Sequence, residues 1–155
     1  MKTISLNVNG KVYDLQVRDS ELLIETLRER LGFKGTKYSC LEGECGACTV
    51  LVDGKNMLSC LMLTLDAQDR KITTIEGLAP SQGELHPIQQ AFIDEGAVQC
   101  GFCTPGMILA AKSLLDKTPE PGPEEIARAL DGNLCRCTGY VRIISAVESA
   151  ARKLK

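Results

Sequence analysis

The chain has no apolar run near the roughly 18–20 residues of a membrane span. It has no excess of positive charge. Its 18 Lys and Arg stand against 20 Asp and Glu, a formal charge of −2, which removes the electrostatic case for a nucleic-acid partner. Met1 to Gly10 alternates polar and apolar residues, with neither a signal-peptide core nor a twin-arginine pair. There is no G-x-G-x-x-G after a strand and no G-x-x-x-x-G-K-[ST], so no nucleotide site is evident. Repeats and low-complexity tracts are absent too. The composition is 44% hydrophobic and 25% charged, ordinary for a globular protein. These features predict a soluble, cytoplasmic chain with no membrane span and no nucleic-acid partner.

Cysteine is the exception, with 8 among 155 residues. That is about 5%, below the roughly 8–10% that marks a disulfide scaffold. With no secretory signal, the thiols are expected to stay reduced. Clustered reduced cysteines are more often metal ligands than staples.

The chain divides by texture. Ile4, Leu6 and Val8 alternate with polar residues, Asn9-Gly10 offers a tight turn, and Val12, Leu15 and Val17 follow. A helix is predicted from an N-cap at Ser20 to a stop at Gly32. Thr49 to Val52 reads as a strand, Asp53-Gly54 as a second hairpin turn, and Lys71 to Ile75 as another strand. From residue 77 to 87 Gly, Pro, Ser and Gln cluster and the strand pattern ends. Four short helices are then predicted: Pro87 to Glu95, one capped by Thr104 with Pro105 at its first position, Glu124 to Asp131, and Tyr140 to Leu154. The expected fold class is α+β. A β-grasp-like domain over 1–77, a linker over 78–86 and a helical domain over 87–155 make it up. Four short helices suggest a small bundle.

Each half carries four cysteines. Cys40, Cys45, Cys48 and Cys60 are spaced C-x4-C-x2-C, with the fourth after eleven intervening residues. This is the plant-type ferredoxin pattern for a [2Fe–2S] cluster. Gly43 and Gly46 let the loop curl and bring amide N–H groups to sulfur. A four-cysteine zinc site is the competing reading, but structural zinc favours spacings of two to four between paired cysteines. The second set is Cys100, Cys103, Cys135 and Cys137, with C-x2-C before one helix and C-x-C before another. Helix N-termini suit an anionic cluster. Spacing alone leaves zinc or a thioredoxin-like CxxC open there.

The stretches CLEGECGACTVLVDG at 40–54, GAVQCGFCTPGMI at 96–108 and GNLCRCTGYVRI at 132–143 resemble the small iron–sulfur subunit of the molybdenum hydroxylase (xanthine oxidase) family. That family includes aldehyde oxidoreductases, carbon monoxide dehydrogenase and 4-hydroxybenzoyl-CoA reductase. The resemblance covers essentially the whole chain, with no departure at any of the eight cysteines. It implies a plant-type ferredoxin-like domain followed by a four-helix-bundle domain, each with a [2Fe–2S] cluster. It also implies a large partner subunit binding a molybdopterin cofactor and often a medium subunit binding FAD, in a heterotrimer or a dimer of heterotrimers. Electrons would pass singly from molybdenum through the helical-domain cluster and then the ferredoxin-like cluster to FAD or another acceptor. By the same resemblance Gln99 contacts the pterin, and Cys137 is the ligand nearest to it. On composition alone Gln99 reads as a surface amide. This chain would carry no catalytic residue of its own, and its end soon after the fourth helix favours a separate subunit.

The remaining polar residues have plainer readings. His86, the single histidine, reads as a solvated linker residue, since both cysteine sets are complete. Glu42 and Glu44 read as solvated loop carboxylates, and Met57 and Met62 as packing. Arg136 either offsets thiolate charge, binds a partner, or is a plain surface arginine. Arg152-Lys153-Leu154-Lys155 reads as a charged helix end complementing the dipole.

Overall fold

The computed structural model describes residues 1–155. Five strands form one mixed sheet in the order β2-β1-β5-β3-β4. β1 (Lys2–Val8) and β2 (Lys11–Val17) are the predicted hairpin. Asn9 (φ 54°) and Gly10 (φ 79°) both take the left-handed backbone that a two-residue turn needs. β3 (Thr49–Val52) and β4 (Lys55–Leu58) form a second hairpin through Asp53-Gly54. β5 (Lys71–Thr73) lies between, parallel to β1 and antiparallel to β3. It ends two residues before the predicted limit, because Ile75–Gly77 forms a 3-10 turn instead.

The first helix departs from expectation. Ser20 does not cap it. Leu22 does, and the Glu25 carboxylate accepts the Leu22 N–H at 2.9 Å. α1 (Leu23–Glu25) lasts three residues and continues as a π-helical turn over Thr26–Arg30, with the Leu31 N–H donating back to the Thr26 carbonyl. A buried network holds this turn. The Thr26 hydroxyl donates to Glu21 at 2.6 Å and lies 2.8 Å from the Thr64 hydroxyl, and Arg30 donates to Glu21 at 3.1 Å. Those hydrogen bonds outweigh burial and hold the Glu21 carboxyl below its ordinary range.

Four helices follow: α2 (Pro87–Asp94), α3 (Thr104–Leu115), α4 (Pro123–Ala129) and α5 (Val141–Lys153). Cys103 stands at the cap of α3, so Thr104 is already helical, one residue earlier than predicted. His86 is not a solvated linker residue. It caps α2, its Nδ1 accepting the Ile88 N–H at 3.2 Å.

β3 joins the two halves. All four of its residues are buried. Val50 and Val52 enter the sheet's core with Leu6, Val8 and Ile72. Leu51 points the other way, into the helical core with Phe92, Met107 and Ile143. A strand buried on both faces reads as an unbroken apolar run, as Val50-Leu51-Val52 does. Fully burying one such side chain stabilises by roughly 1.5–3 kcal/mol. The Asn56 N–H adds a bond to the Ser113 hydroxyl at 3.3 Å. The first cysteine loop runs directly into β3, and α3, headed by Cys103, packs on that strand. No helix is long and apolar enough to cross a membrane.

Candidate iron–sulfur centres

The loop before β3 curls through three left-handed residues, Leu41 (φ 58°), Gly43 (φ 82°) and Gly46 (φ 70°). The curl aims the N–H groups of Glu42, Glu44 and Cys45 at Cys40 Sγ, each at 3.4 Å. These amides, that of Glu42 foremost, bring the Cys40 thiol down to about 6. Cys48 and Cys60 are both buried. Burial pushes Cys48 up to about 11. Behind this set, Arg28 donates to the carbonyls of Lys34 (2.9 Å) and Thr36 (2.6 Å) and lies 5.0 Å from the Tyr38 ring. It steadies the segment that delivers Cys40.

The second set is assembled from two loops. Cys100 and Cys103 precede α3, while Cys135 and Cys137 lie between α4 and α5. Cys100 and Cys137 are exposed, with sulfurs 3.6 Å apart. Cys103 and Cys135 sit deeper. Burial, reinforced by Cys135, pushes Cys103 up to about 12. Burial also raises Cys135, but the Thr138 hydroxyl and the backbone of Thr138 and Cys137 prevail and bring it to about 7. Thr138 Oγ1 lies 3.1 Å from Cys135 Sγ, and the Cys135 N–H donates to Tyr140 Oη at 2.9 Å.

Each set thus divides into two deeper and two shallower cysteines. A [2Fe–2S] cluster held by four cysteines has two irons to bind, so two pairs per site suit it. A structural zinc ion needs four donors converging tetrahedrally on one point. All eight cysteines are unbridged thiols. The donor set therefore fits two dinuclear clusters.

The two sites touch. The Leu134 N–H donates to the Cys45 carbonyl at 2.9 Å. Buried Asn133 donates through Nδ2 to the Gly46 carbonyl (3.0 Å) and to Thr49 Oγ1 (3.2 Å). A Cβ on Gly46 would strike the Gly132 carbonyl, and one on Gly106 would lie 2.5 Å from the Gly46 carbonyl. Only glycine permits that approach. A cavity of about 410 Å³ opens between the loops, lined by Cys45 and the whole second set.

Gln99, Arg136, Glu42 and Glu44 are all exposed. Met62 packs against the sheet core, as expected, whereas Met57 is 43% exposed. In the tail, Lys153 pairs with Asp94 and Lys155 with Glu120, so both make specific ion pairs. The sequence reading missed Arg28, Asn133, Thr138 and Tyr140. Three of these lie in or beside the CxC stretch, which was the available signal.

Two domain families match, and together they define the class of protein. Residues 6–75 match the 2Fe-2S iron-sulfur cluster binding domain, and residues 74–148 match the [2Fe-2S] binding domain. The chain is an iron–sulfur component of an oxidoreductase, built from two [2Fe–2S]-binding domains. It is 49% identical to the nicotinate dehydrogenase small FeS subunit of Eubacterium barkeri, covering 97% of this chain and 96% of that one. Its fold matches the crystal structure of quinoline 2-oxidoreductase from Pseudomonas putida 86 with a TM-score of 0.93 and 42% identity, covering 97% of this chain and 94% of that one. It also matches the aldehyde oxidoreductase of Desulfovibrio desulfuricans with a TM-score of 0.95 and 43% identity, covering 99% of this chain but 17% of that longer one. The chain belongs to the family of small iron–sulfur subunits of the molybdenum hydroxylases.

Proposed function

We propose that the chain carries electrons one at a time between the molybdopterin site of a large partner subunit and FAD, or another acceptor, on the far side. Cys40, Cys45, Cys48 and Cys60 hold the first [2Fe–2S] cluster, and Cys100, Cys103, Cys135 and Cys137 hold the second. Each cluster supplies one reversible electron. The chain's residues fix the two sites against each other and shield their inner sulfurs from water. The observation that carries this reading is the contact between the sites. Only the hydrogen bond from Leu134 to the Cys45 carbonyl separates a ligand of one set from the peptide leading to a ligand of the other.

The second set is the one that faces molybdenum. Cys100 and Cys137 are exposed, and Phe102 and Leu134, beside them, are 45% and 55% exposed. Such an apolar rim suits a docked partner. Gln99, exposed next to Cys100, contacts the pterin of that partner. The first set faces the FAD-binding medium subunit. The division into a ferredoxin-like domain over 1–77, a linker over 78–86 and a four-helix bundle over 87–155 belongs to this reading. So do a heterotrimer or its dimer and a cytoplasmic location.

Cys45→Ala in the assembled complex tests the relay. Turnover with a flavin-side acceptor is expected to stop while the second cluster's spectrum persists. Undiminished turnover with an unchanged spectrum would count against the relay.

A further inference from the structure

A hydrogen bond to a cluster sulfur favours the more negative, reduced state and so raises the midpoint potential. Around Cys40 every such donor is a backbone N–H. At Cys135, in the second set, the donor is a side chain. Thr138 Oγ1 lies 3.1 Å from Cys135 Sγ.

A third group fixes the direction of that bond. The Tyr140 N–H donates to Thr138 Oγ1 at 3.2 Å. A hydroxyl has one proton and two lone pairs. Tyr140 occupies a lone pair, so the proton is left for sulfur, and a ligating thiolate can only accept it. The left-handed Gly139 (φ 66°) turns the Tyr140 N–H back toward Thr138, and Tyr140 is itself left-handed, with φ at 68°. That conformation is costly for a bulky residue and persists only where the surroundings enforce it. The Cys135 N–H donates to Tyr140 Oη at 2.9 Å and ties that side chain to the loop. The three bonds close a ring from Cys135 through Tyr140 and Thr138 back to Cys135.

We propose that Thr138 is a positioning residue that sets the potential of the second cluster. Its hydroxyl, oriented by Tyr140, holds that potential above the value four unassisted thiolates would give. The inference rests on Cys135 being a ligand of that cluster. It also makes the two potentials separately adjustable, since Thr138 variants leave the backbone donors at Cys40 in place.

The test is an EPR-monitored redox titration of the holo-complex carrying wild-type chain, Thr138→Val or Thr138→Ser. Valine keeps the shape and loses the hydroxyl, while serine keeps the hydroxyl. Two [2Fe–2S] signals are expected throughout. In Thr138→Val, one signal should show a reduced-to-oxidised ratio about tenfold lower at the wild-type midpoint, about 59 mV for one electron. The other signal should stay in place, and Thr138→Ser should restore the first. If Thr138→Val fails to load the second cluster, Thr138→Ala carries the same expectation. Midpoints that do not move, or that move alike in the valine and serine variants, overturn the inference and leave the ligand sets standing. A wild type with a single signal removes the ligand reading itself, and the inference with it.

Discussion

The first cysteine set is wrapped by its own loop, and the second is clasped between two loops far apart in sequence. In the first, three backbone amides point at Cys40, and the inner pair, Cys48 and Cys60, is 3% exposed at each residue. In the second, the outer pair is exposed, and a side-chain hydroxyl serves the inner one. Both sites stack an outer sulfur pair over an inner one, so the pairing belongs to the dinuclear cluster. The donors belong to the fold around it. The loop over residues 40–48 solvates Cys40 with amides it carries anyway. A site split across α3 and the α4–α5 connection needs Thr138, Tyr140 and, at full assembly, a partner's surface.

The sharpest way to break this comparison is to remove one inner sulfur at a time. Cys48→Ala should cost the first cluster and Cys103→Ala the second, each halving iron content from about four to about two per chain. Metal analysis with EPR checks this. Loss of both clusters from either variant would show that the sites do not load separately.

A smaller effect concerns the seam. Gly106→Ala places a Cβ 2.5 Å from the Gly46 carbonyl, backbone against backbone. The loops must part, at a cost of about 3 kcal/mol, the upper range of overpacking. Asn133→Ala should cost less, about 1 kcal/mol, because the Thr49 hydroxyl still serves the Gly46 carbonyl at 2.7 Å. Denaturant unfolding of the holo-chain ranks the two. Equal losses would mean that the close backbone approach contributes nothing beyond the amide.

Much of this was readable in advance, for a physical reason. Cysteine spacing within one loop is local information, and the first set depends on little else. Asn9-Gly10 and Asp53-Gly54 declared their hairpins because few other residue pairs tolerate that backbone. The failures were competitions between nearby groups. Ser20 is a good cap in isolation, but Glu25 reached the Leu22 N–H, and Glu21 turned inward to Thr26 and Arg30. Asn133 was invisible because its acceptor, the Gly46 carbonyl, lies 87 positions away. Thr138 was invisible for another reason: its role depends on a left-handed turn through Gly139 and Tyr140, of which the residue types announce only the glycine.

The smallest expected effect separates the two halves by pH. His86 caps α2 through an unprotonated Nδ1. Burial, and then the Lys112 ammonium, hold its pKa below the ordinary 6.5, with Asp116 opposing weakly. A proton therefore binds the unfolded chain more readily than the folded one. The stability contributed by neutral His86 is present above pH 6.5 and is lost as pH falls through that value toward the lowered folded one. Thermal unfolding between pH 7.5 and about 5.5 should show a modest decline that His86→Asn, a cap without titration, reduces. An identical decline in that variant would place the acid sensitivity elsewhere.

The central claim is that this chain holds two [2Fe–2S] clusters on two sets of paired cysteines, and one measurement addresses it directly. The chain is purified anaerobically with its partners, assayed for iron and acid-labile sulfide, and examined by EPR after dithionite reduction. The account predicts about four irons and four sulfides per chain and two distinguishable S = 1/2 signals. A colourless, sulfide-free, EPR-silent protein carrying zinc would contradict it.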